Sequence, residues 1–191
     1  MGQMSFFSAE AMQPGVADLA GLLCASGQVA HFARRAARLS VVVGESWRRD
    51  AVAEAFAERG IDPEVGVSDE EHPLVRTPFR TDLTSLADAW THETAKAVPV
   101  GLALDGASLR LWTLATGRWV GSGYVLGLDP MAPETHEPLV GALTRIGLPA
   151  TLLGPKAGAP GIRLTGRRRI GRLVELVGRM PSSAAEPYWP V

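Results

Sequence analysis

The stretch Leu19-Ala20-Gly21-Leu22-Leu23-Cys24-Ala25-Ser26-Gly27 combines leucines at helical spacing with small residues and ends at a glycine. Such a pattern predicts a helix whose small side chains allow a second backbone to approach closely. Gly27 is suited to the C-terminal cap of that helix. Nearly the same ending recurs ninety positions later as Leu114-Ala115-Thr116-Gly117. The recurrence predicts an internal repeat of two half-domains, each built around one such helix.

The segments around these two helices predict the same order of elements twice. In the first half, the helix at 16–27 is followed by a hairpin at 28–43, a helix at 46–59, extended segments at 61–67 and 74–80, and a helix from Thr81. In the second half, a helix at 108–117 is followed by a hairpin at 119–128, a helix at 134–146, extended segments at 149–153 and 161–164, and a helix after Thr165. The predicted fold class is α+β, with two tandem α-β-β-α-β-β-α halves related by pseudo-twofold symmetry.

These patterns divide the chain into five regions. They are an N-terminal lead-in at 1–15, the first half at 16–98, a linker at 99–106, the second half at 107–180 and a C-terminal tail at 181–191. Proline and small residues in the last region favour a loose tail, whereas Tyr188 and Trp189 offer a way to pin it to the surface.

Composition predicts an ordinary globular protein and gives few hints of function. The 191 residues are 46% hydrophobic and 20% charged, and 19 Lys and Arg face 20 Asp and Glu, for a net charge of −1. The whole chain therefore exerts no overall attraction on nucleic acid, and any attraction must come from a local patch. The single Cys24 excludes an internal disulfide framework. We find neither a secretory signal nor an apolar run that suggests a membrane span, and expect a cytoplasmic protein.

At six of its nine positions the opening stretch matches the LAGLIDADG motif of homing endonucleases. The chain resembles still more closely the N-terminal region of the WhiA sporulation and cell-division regulators, which is similar to a double LAGLIDADG domain. The resemblance rests on Ala17-Asp18-Leu19-Ala20-Gly21-Leu22-Leu23, on Leu109-Arg110 with Leu114-Ala115-Thr116-Gly117, and on Leu139-Val140-Gly141-Ala142-Leu143 running to Gly147. It spans residues 16–178 and implies that the two motif helices pack together. The residues expected between the halves are Leu19, Gly21, Leu22, Ala25, Leu109, Trp112 and Ala115.

The resemblance implies a test for catalysis. In the endonucleases, an acidic residue just before the final glycine of each motif helps to bind the metal ions used in phosphodiester cleavage. Here these positions hold Ser26 and Thr116, whose hydroxyls are uncharged at neutral pH. Asp18 and Asp105 are the nearest acids, more than two helical turns back and unmatched across the repeat. We therefore expect no endonuclease activity, no catalytic residue, no metal and no cofactor.

Arginines are the candidate DNA contacts, because the hairpins of the endonuclease fold form a saddle on DNA. The candidates are Arg34, Arg35 and Arg38 in the first hairpin and Arg163, Arg167, Arg168 and Arg169 before and in the last helix; Arg48 and Arg49 begin an earlier helix. A solvated, salt-bridged surface is the alternative for both clusters. The acidic loop Asp69-Glu70-Glu71 would repel a phosphate backbone.

Other reactive residues are expected to be structural. The four histidines, His31, His72, His92 and His136, show no metal-ligand spacing. Cys24 has no activating base in its sequence surroundings, which favours a buried inert thiol. The stretch Gly154-Pro155-Lys156-Ala157-Gly158 lacks the ending of a phosphate loop and predicts a hairpin turn.

Three functions stay open at this point. WhiA proteins continue into a helix-turn-helix domain, and no such pattern occurs in these 191 residues. The first function is a catalytically inactive, WhiA-like regulator that binds double-stranded DNA or assists a transcription regulator. The second is a protein-interaction module without DNA contact. The third, which the residues disfavour, is a metal-dependent endonuclease that uses displaced acids.

Overall fold

The computed structural model describes residues 8–154 and 158–191. The first half contains a 3-10 turn at Val16–Leu19, α1 (Ala20–Cys24), β1 (Gln28–Phe32), β2 (Ala36–Val42), α2 (Ser46–Glu58), β3 (Glu64–Val67), β4 (Pro73–Arg76) and α3 (Thr84–Ala89). A short hairpin of β5 (Thr91–His92) and β6 (Ala95–Lys96) follows. The second half contains α4 (Gly106–Thr116), β7 (Arg118–Val120), β8 (Gly123–Gly127), α5 (His136–Arg145), β9 (Thr151–Leu152), β10 (Gly161–Leu164) and α6 (Arg167–Val177).

Each half forms one four-stranded antiparallel sheet, and the two sheets share one topology. Sheet 1 has the order β1-β2-β4-β3, and sheet 2 has the order β7-β8-β10-β9. In each sheet the first hairpin supplies an edge strand and a central strand, and the second hairpin supplies the other central strand and the other edge. The predicted α+β fold with a repeated order of elements is confirmed. The β5–β6 hairpin has no equivalent in the second half and was not predicted.

The helices α1 and α4 pack directly against each other at the centre of the molecule. The first is shorter than predicted, because residues 16–19 form a 3-10 turn rather than α-helix. A Cβ atom added to Gly21 would overlap the Ser108 carbonyl oxygen on α4, so only glycine allows this approach. The other residues expected between the halves, Leu19, Leu22, Ala25, Leu109, Trp112 and Ala115, are all buried.

The C-terminal segment is pinned to the second half. Trp189 is 2% exposed, and its Nε1 donates to the Gly178 carbonyl at 3.0 Å. Trp119 Nε1 donates to the Trp189 carbonyl at 3.0 Å, and the Tyr124 hydroxyl donates to the Tyr188 carbonyl at 2.8 Å. Of the two alternatives for this segment, the structure therefore has the anchored one. Within the described ranges, none of the helices is long and apolar enough to cross a membrane.

Candidate nucleic-acid interface

The outer face of sheet 1, opposite the core, carries a row of polar side chains. Along β2, Leu39 and Val41 are buried in the core, so the residues between them point outward. Ser40 is one of these outward residues. Strand register aligns it with one residue from each other strand, in the order Gln28, Ser40, Arg76 and Glu64. Glu64 accepts from Arg76 at 2.8 Å and from Arg38 at 3.4 Å, so one carboxylate neutralises part of the charge of two arginines.

Sheet 2 carries a more basic row. Strand register aligns Arg118, Val125, Arg163 and Thr151 across its four strands. Their neighbours Tyr124 and Leu126 belong to the core, so this row lies on the outer face. Arg163 crosses the sheet above the Cα of Gly123, where a Cβ would overlap the guanidinium, and its Nη2 donates to the Val120 carbonyl at 3.3 Å. Both arginines of this row lack a carboxylate within 4 Å in the part of the chain that the structure describes.

The candidate arginines of the first hairpin fall into two environments. Arg34 and Arg35 lie exposed in the β1–β2 turn, with Ala33 and Arg34 both at positive φ (48° and 54°). The acidic loop Asp69-Glu70-Glu71 joins β3 to β4 at the other end of β2, beyond the pair Val42 and Leu74. It is therefore remote from the turn arginines. Arg38 lies in the sheet itself and is held by Glu64.

The structure separates Arg167, Arg168 and Arg169 from Arg163. These three arginines begin α6, whose apolar residues Ile170, Leu173, Leu176 and Val177 pack toward the core. The helix packs against α4 on the core side, whereas Arg163 points from the outer face of sheet 2. The helix arginines line an open cleft with Pro149 and Thr165 on that side of the molecule. A ligand lying on the outer face of sheet 2 meets Arg118 and Arg163 first.

The two positions that hold acids in the endonuclease motif hold hydroxyls bonded to the neighbouring strands. Ser26 Oγ donates to the Val42 carbonyl at the end of β2, at 3.5 Å. Thr116 Oγ1 accepts from Gly127 N at the end of β8, at 3.0 Å, and donates to the Trp112 carbonyl at 3.2 Å. Each hydroxyl thus ties the end of a central helix to its own sheet. No group of three or more His, Cys, Asp or Glu in the described ranges could hold a metal ion.

A buried lysine lies at the end of α1. Lys96 Nζ donates to the Ala25 carbonyl at 2.7 Å and to Asp129 Oδ2 at 2.9 Å, with side chains only 8% and 2% exposed. Gln28 Nε2 donates to the same Asp129 oxygen at 2.6 Å. Burial lowers the pKa of Lys96, while the hydrogen bond and the charge of Asp129 act in the opposite direction. The ammonium therefore lies beside the residue that precedes Ser26.

A buried arginine lies at the end of α4. Arg48 Nη1 donates to the carbonyls of Thr113 and Leu114, and Nη2 donates to the Gly117 carbonyl at 2.7 Å. Its guanidinium also lies over the rings of Trp47 and Tyr188. Cations are favourable at the C-terminal ends of helices, where the backbone carbonyls lack partners. A positively charged side chain therefore lies at the C-terminal end of each central helix, Lys96 at α1 and Arg48 at α4.

Solved structures share the overall fold over nearly the whole chain. The homing endonuclease I-WcaI, bound to its DNA recognition sequence, is similar with a TM-score of 0.61 at 14% identity, over 93% of this chain and 83% of that one. The N-terminal LAGLIDADG domain of DUF199/WhiA is similar with a TM-score of 0.55 at 12% identity, over 86% and 82% of the two chains. The chain has the LAGLIDADG fold. Full-length DUF199/WhiA from Thermatoga maritima, with a TM-score of 0.59 at 12% identity, is matched over 95% of this chain and 58% of its own length.

The LAGLIDADG fold implied by the motif is thus confirmed from structure. No protein-family model and no curated protein sequence matches the chain. At 12–14% identity the similarity establishes the fold alone. The chemistry has to be argued from the residues at the helix ends.

The sequence patterns did not predict the two buried cations at the ends of the central helices, Lys96 and Arg48. In the sequence Arg48 and Arg49 are adjacent basic residues at the start of a helix, yet Arg48 is 3% exposed and lies inside the molecule. Lys96 and Asp129 carry no motif and meet only through the fold. Cys24 is buried, and burial raises the pKa of its thiol, which agrees with an inert residue.

Proposed function

We propose that this LAGLIDADG-fold protein is a catalytically inactive regulator that binds double-stranded DNA through the outer faces of its two sheets. One observation carries the proposal. Where the endonuclease motif has two metal-binding acids, this chain has Ser26 and Thr116, and the adjacent helix ends are already neutralised by Lys96 and Arg48. A hydroxyl brings a divalent metal ion no charge, the neighbouring cations repel that ion, and the carboxylate beside the end of α1, Asp129, is already paired with Lys96.

Duplex DNA as the ligand is supported by fold and by charge. I-WcaI, which has this fold, is bound to its DNA recognition sequence. Four arginines on or at the edge of the outer faces lack a carboxylate within 4 Å in the described ranges: Arg34, Arg35, Arg118 and Arg163. If each neutralises one phosphate, the logarithm of the binding constant falls with the logarithm of salt concentration with a slope of about −3.6. The resulting affinity is modest and suits a protein that assists a transcription regulator.

We infer by analogy the cellular process in which the protein acts. The resemblance to the WhiA regulators suggests a role in transcription regulation connected with sporulation or cell division. The second candidate is a protein-interaction module without DNA contact. It is favoured by Glu64, which neutralises Arg38 and Arg76 at the centre of sheet 1 and leaves that part of the outer face unattractive to phosphate.

Binding to a random duplex, followed over a salt series with magnesium present, tests the proposal. We expect uncut DNA on a denaturing gel and a slope between about −3 and −4. The double variant Arg118→Ala/Arg163→Ala should reduce the magnitude of the slope by about 2. Arg49→Ala is the matched control, because Arg49 pairs with Asp50 on α2 and lies off the outer faces.

Each other outcome contradicts one part of the proposal. Magnesium-dependent cleavage would show that Ser26 and Thr116 do not prevent catalysis. Lack of binding at about 50 mM salt, where phosphate contacts are strong, would remove DNA as the ligand and favour the protein-interaction module.

A further inference from the structure

Two aromatic rings lie exposed side by side at the end of sheet 1 that carries the β1–β2 turn, which we call the distal end. Phe32 at the end of β1 is 63% exposed and Phe79 after β4 is 42% exposed, with ring centroids 5.6 Å apart. No other Phe, Tyr or Trp in the described ranges is exposed. Because large aromatic side chains are among the main contributors to buried area, two adjacent exposed rings point to a ligand. We name Phe32, Phe79 and the arginines Arg34, Arg35 and Arg38 the distal patch.

The rings of the distal patch are bordered by positive charge. Arg38 lies over the Phe79 ring, with its central carbon 4.4 Å from the ring centroid, and Glu64 holds this guanidinium in place. Arg34 and Arg35, in the turn that follows Phe32, have no carboxylate within 4 Å in the described ranges. An apolar ring surface edged with unpaired arginines matches a ligand that has flat apolar faces and a phosphate backbone.

The repeat shows that the fold does not require this patch. The equivalent turn of sheet 2 consists of Gly121 and Ser122, with neither an arginine nor an aromatic ring. The backbone of the first turn is closed by the hydrogen bond from Arg35 N to Phe32 O, at 2.9 Å. In the aligned row of sheet 2 the nucleic-acid contacts on offer are Arg118 and Arg163, which can neutralise phosphates but provide no apolar aromatic ring as a stacking platform. The two halves therefore present different chemistry to a nucleic acid.

We propose that the distal patch binds unpaired nucleobases, so that the protein prefers DNA in which a single-stranded segment adjoins a duplex. The inference rests on the proposed function and adds the class of DNA. In a blunt duplex the bases are stacked on one another, and their faces are closed to Phe32 and Phe79. In a single strand each base offers a face to a ring while its phosphates meet Arg34 and Arg35. Two rings give too small an apolar area for a stable protein interface, which buries about 800 Å² on each partner.

Fluorescence anisotropy on three labelled DNAs tests the inference. They are a blunt duplex, the same duplex with an oligothymidine overhang, and the oligothymidine alone. We expect the overhang to tighten binding by about tenfold, because the stacking of one base on an aromatic ring strengthens binding by about that factor. Phe32→Ala/Phe79→Ala should abolish that gain and leave binding of the blunt duplex unchanged. Phe32→Tyr/Phe79→Tyr should retain the gain, because tyrosine rings also stack.

A matched control uses exposed apolar residues elsewhere on sheet 1. Val65 and Val67 on β3 are 54% and 69% exposed, and Val65→Ala/Val67→Ala should change binding of none of the three DNAs. The chain already contains five tryptophans, so a Phe32→Trp variant is compared with the parent protein, and oligothymidine should quench the additional indole fluorescence as a base stacks on the ring. All substitutions are at exposed positions, so thermal unfolding should stay near that of the parent protein.

The outcomes separate the inference from the proposed function. Salt-dependent binding of the blunt duplex without a gain from the overhang would overturn the inference and leave the proposed function intact. An overhang gain that persists in Phe32→Ala/Phe79→Ala would also overturn it, since the rings would then play no part. Failure to bind any of the three DNAs would overturn both.

Discussion

The ammonium of Lys96 and the carboxylate of Asp129 lie 2.9 Å apart and join the two halves beneath the central helices. Lys96 comes from the β5–β6 hairpin that ends the first half, and Asp129 follows β8 in the second. Its carboxylate also accepts from Gln28 and from the Met131 amide. The pair is almost fully buried, and both oxygens of the Asp129 carboxylate accept hydrogen bonds, which helps to offset the cost of burying an ion pair.

Removal of one partner of this pair should be strongly destabilising. We expect Lys96→Met to lower the free energy of unfolding by about 3–5 kcal/mol, because Asp129 is left as a buried charge without its counter-ion. Urea unfolding measures the loss. The exposed pair of Arg172 and Glu175 is the control, and Arg172→Met should cost less than about 1 kcal/mol. Equal losses in the two variants would show that Lys96 is not held by the contacts described.

The guanidinium of Arg48 should matter more than that of its neighbour in sequence. Arg48→Met leaves the carbonyls of Thr113, Leu114 and Gly117 without a donor, and we expect a loss of about 3 kcal/mol. Arg49→Met, one position further along α2, removes only an exposed pair with Asp50 and should change stability by about 0.5 kcal/mol or less. Thermal unfolding of the two variants in parallel distinguishes them. If Arg48→Met lost less stability than Arg49→Met, the hydrogen bonds from Arg48 to the end of α4 would be contradicted.

The overall fold could be predicted from sequence because its signals are local. Leucine spacing, small residues and the glycines at the ends of both motif helices are all contained in short stretches. The helix-end cations could not be predicted that way. Lys96 lies 33 positions from Asp129, and Arg48 lies 69 positions from Gly117, so no periodicity relates the partners. Phe32 and Phe79 likewise become neighbours only once β1, β2 and β4 pair.

Alkaline pH should destabilise the protein through the Cys24 thiol. In the unfolded chain this thiol ionises near its ordinary pKa of 9.0, whereas burial raises its pKa in the folded protein. Above pH 9 the unfolded state therefore binds fewer protons than the folded state, and stability falls with rising pH. The stabilisation that the protonated thiol contributes is fully present below pH 9. Above pH 9 the free energy of unfolding falls by about 1.4 kcal/mol per pH unit.

Comparison with Cys24→Ala isolates this contribution. The difference in unfolding free energy between the parent protein and the variant should be constant up to about pH 8.5 and then decline with the slope given above. Urea unfolding at several pH values between 8 and about 10.5 measures it. Parallel pH profiles for the two proteins would show that the Cys24 thiol ionises alike in both states.

Two helical glycines should respond in opposite directions to alanine. At Gly21 a Cβ would overlap the Ser108 carbonyl oxygen and press on the Leu111 Cβ, so α1 and α4 must move apart. Overpacking against backbone costs about 3 kcal/mol or more, and the loss extends to every contact between the halves. At Gly171, inside α6, a Cβ would meet nothing within 4 Å. There alanine should stabilise by about 0.5–1 kcal/mol, because it restricts the unfolded chain and favours helix.

Urea unfolding of Gly21→Ala, Gly171→Ala and the double variant measures both effects. The double variant matters because the gain at Gly171 partly offsets the loss at Gly21 and keeps a folded baseline for the fit. The two sites lie on different helices, so their effects should add. If Gly21→Ala were as stable as the parent protein, the close approach of α1 to the Ser108 carbonyl would be wrong, and with it the geometry that brings Ser26 and Thr116 to the ends of one packed helix pair.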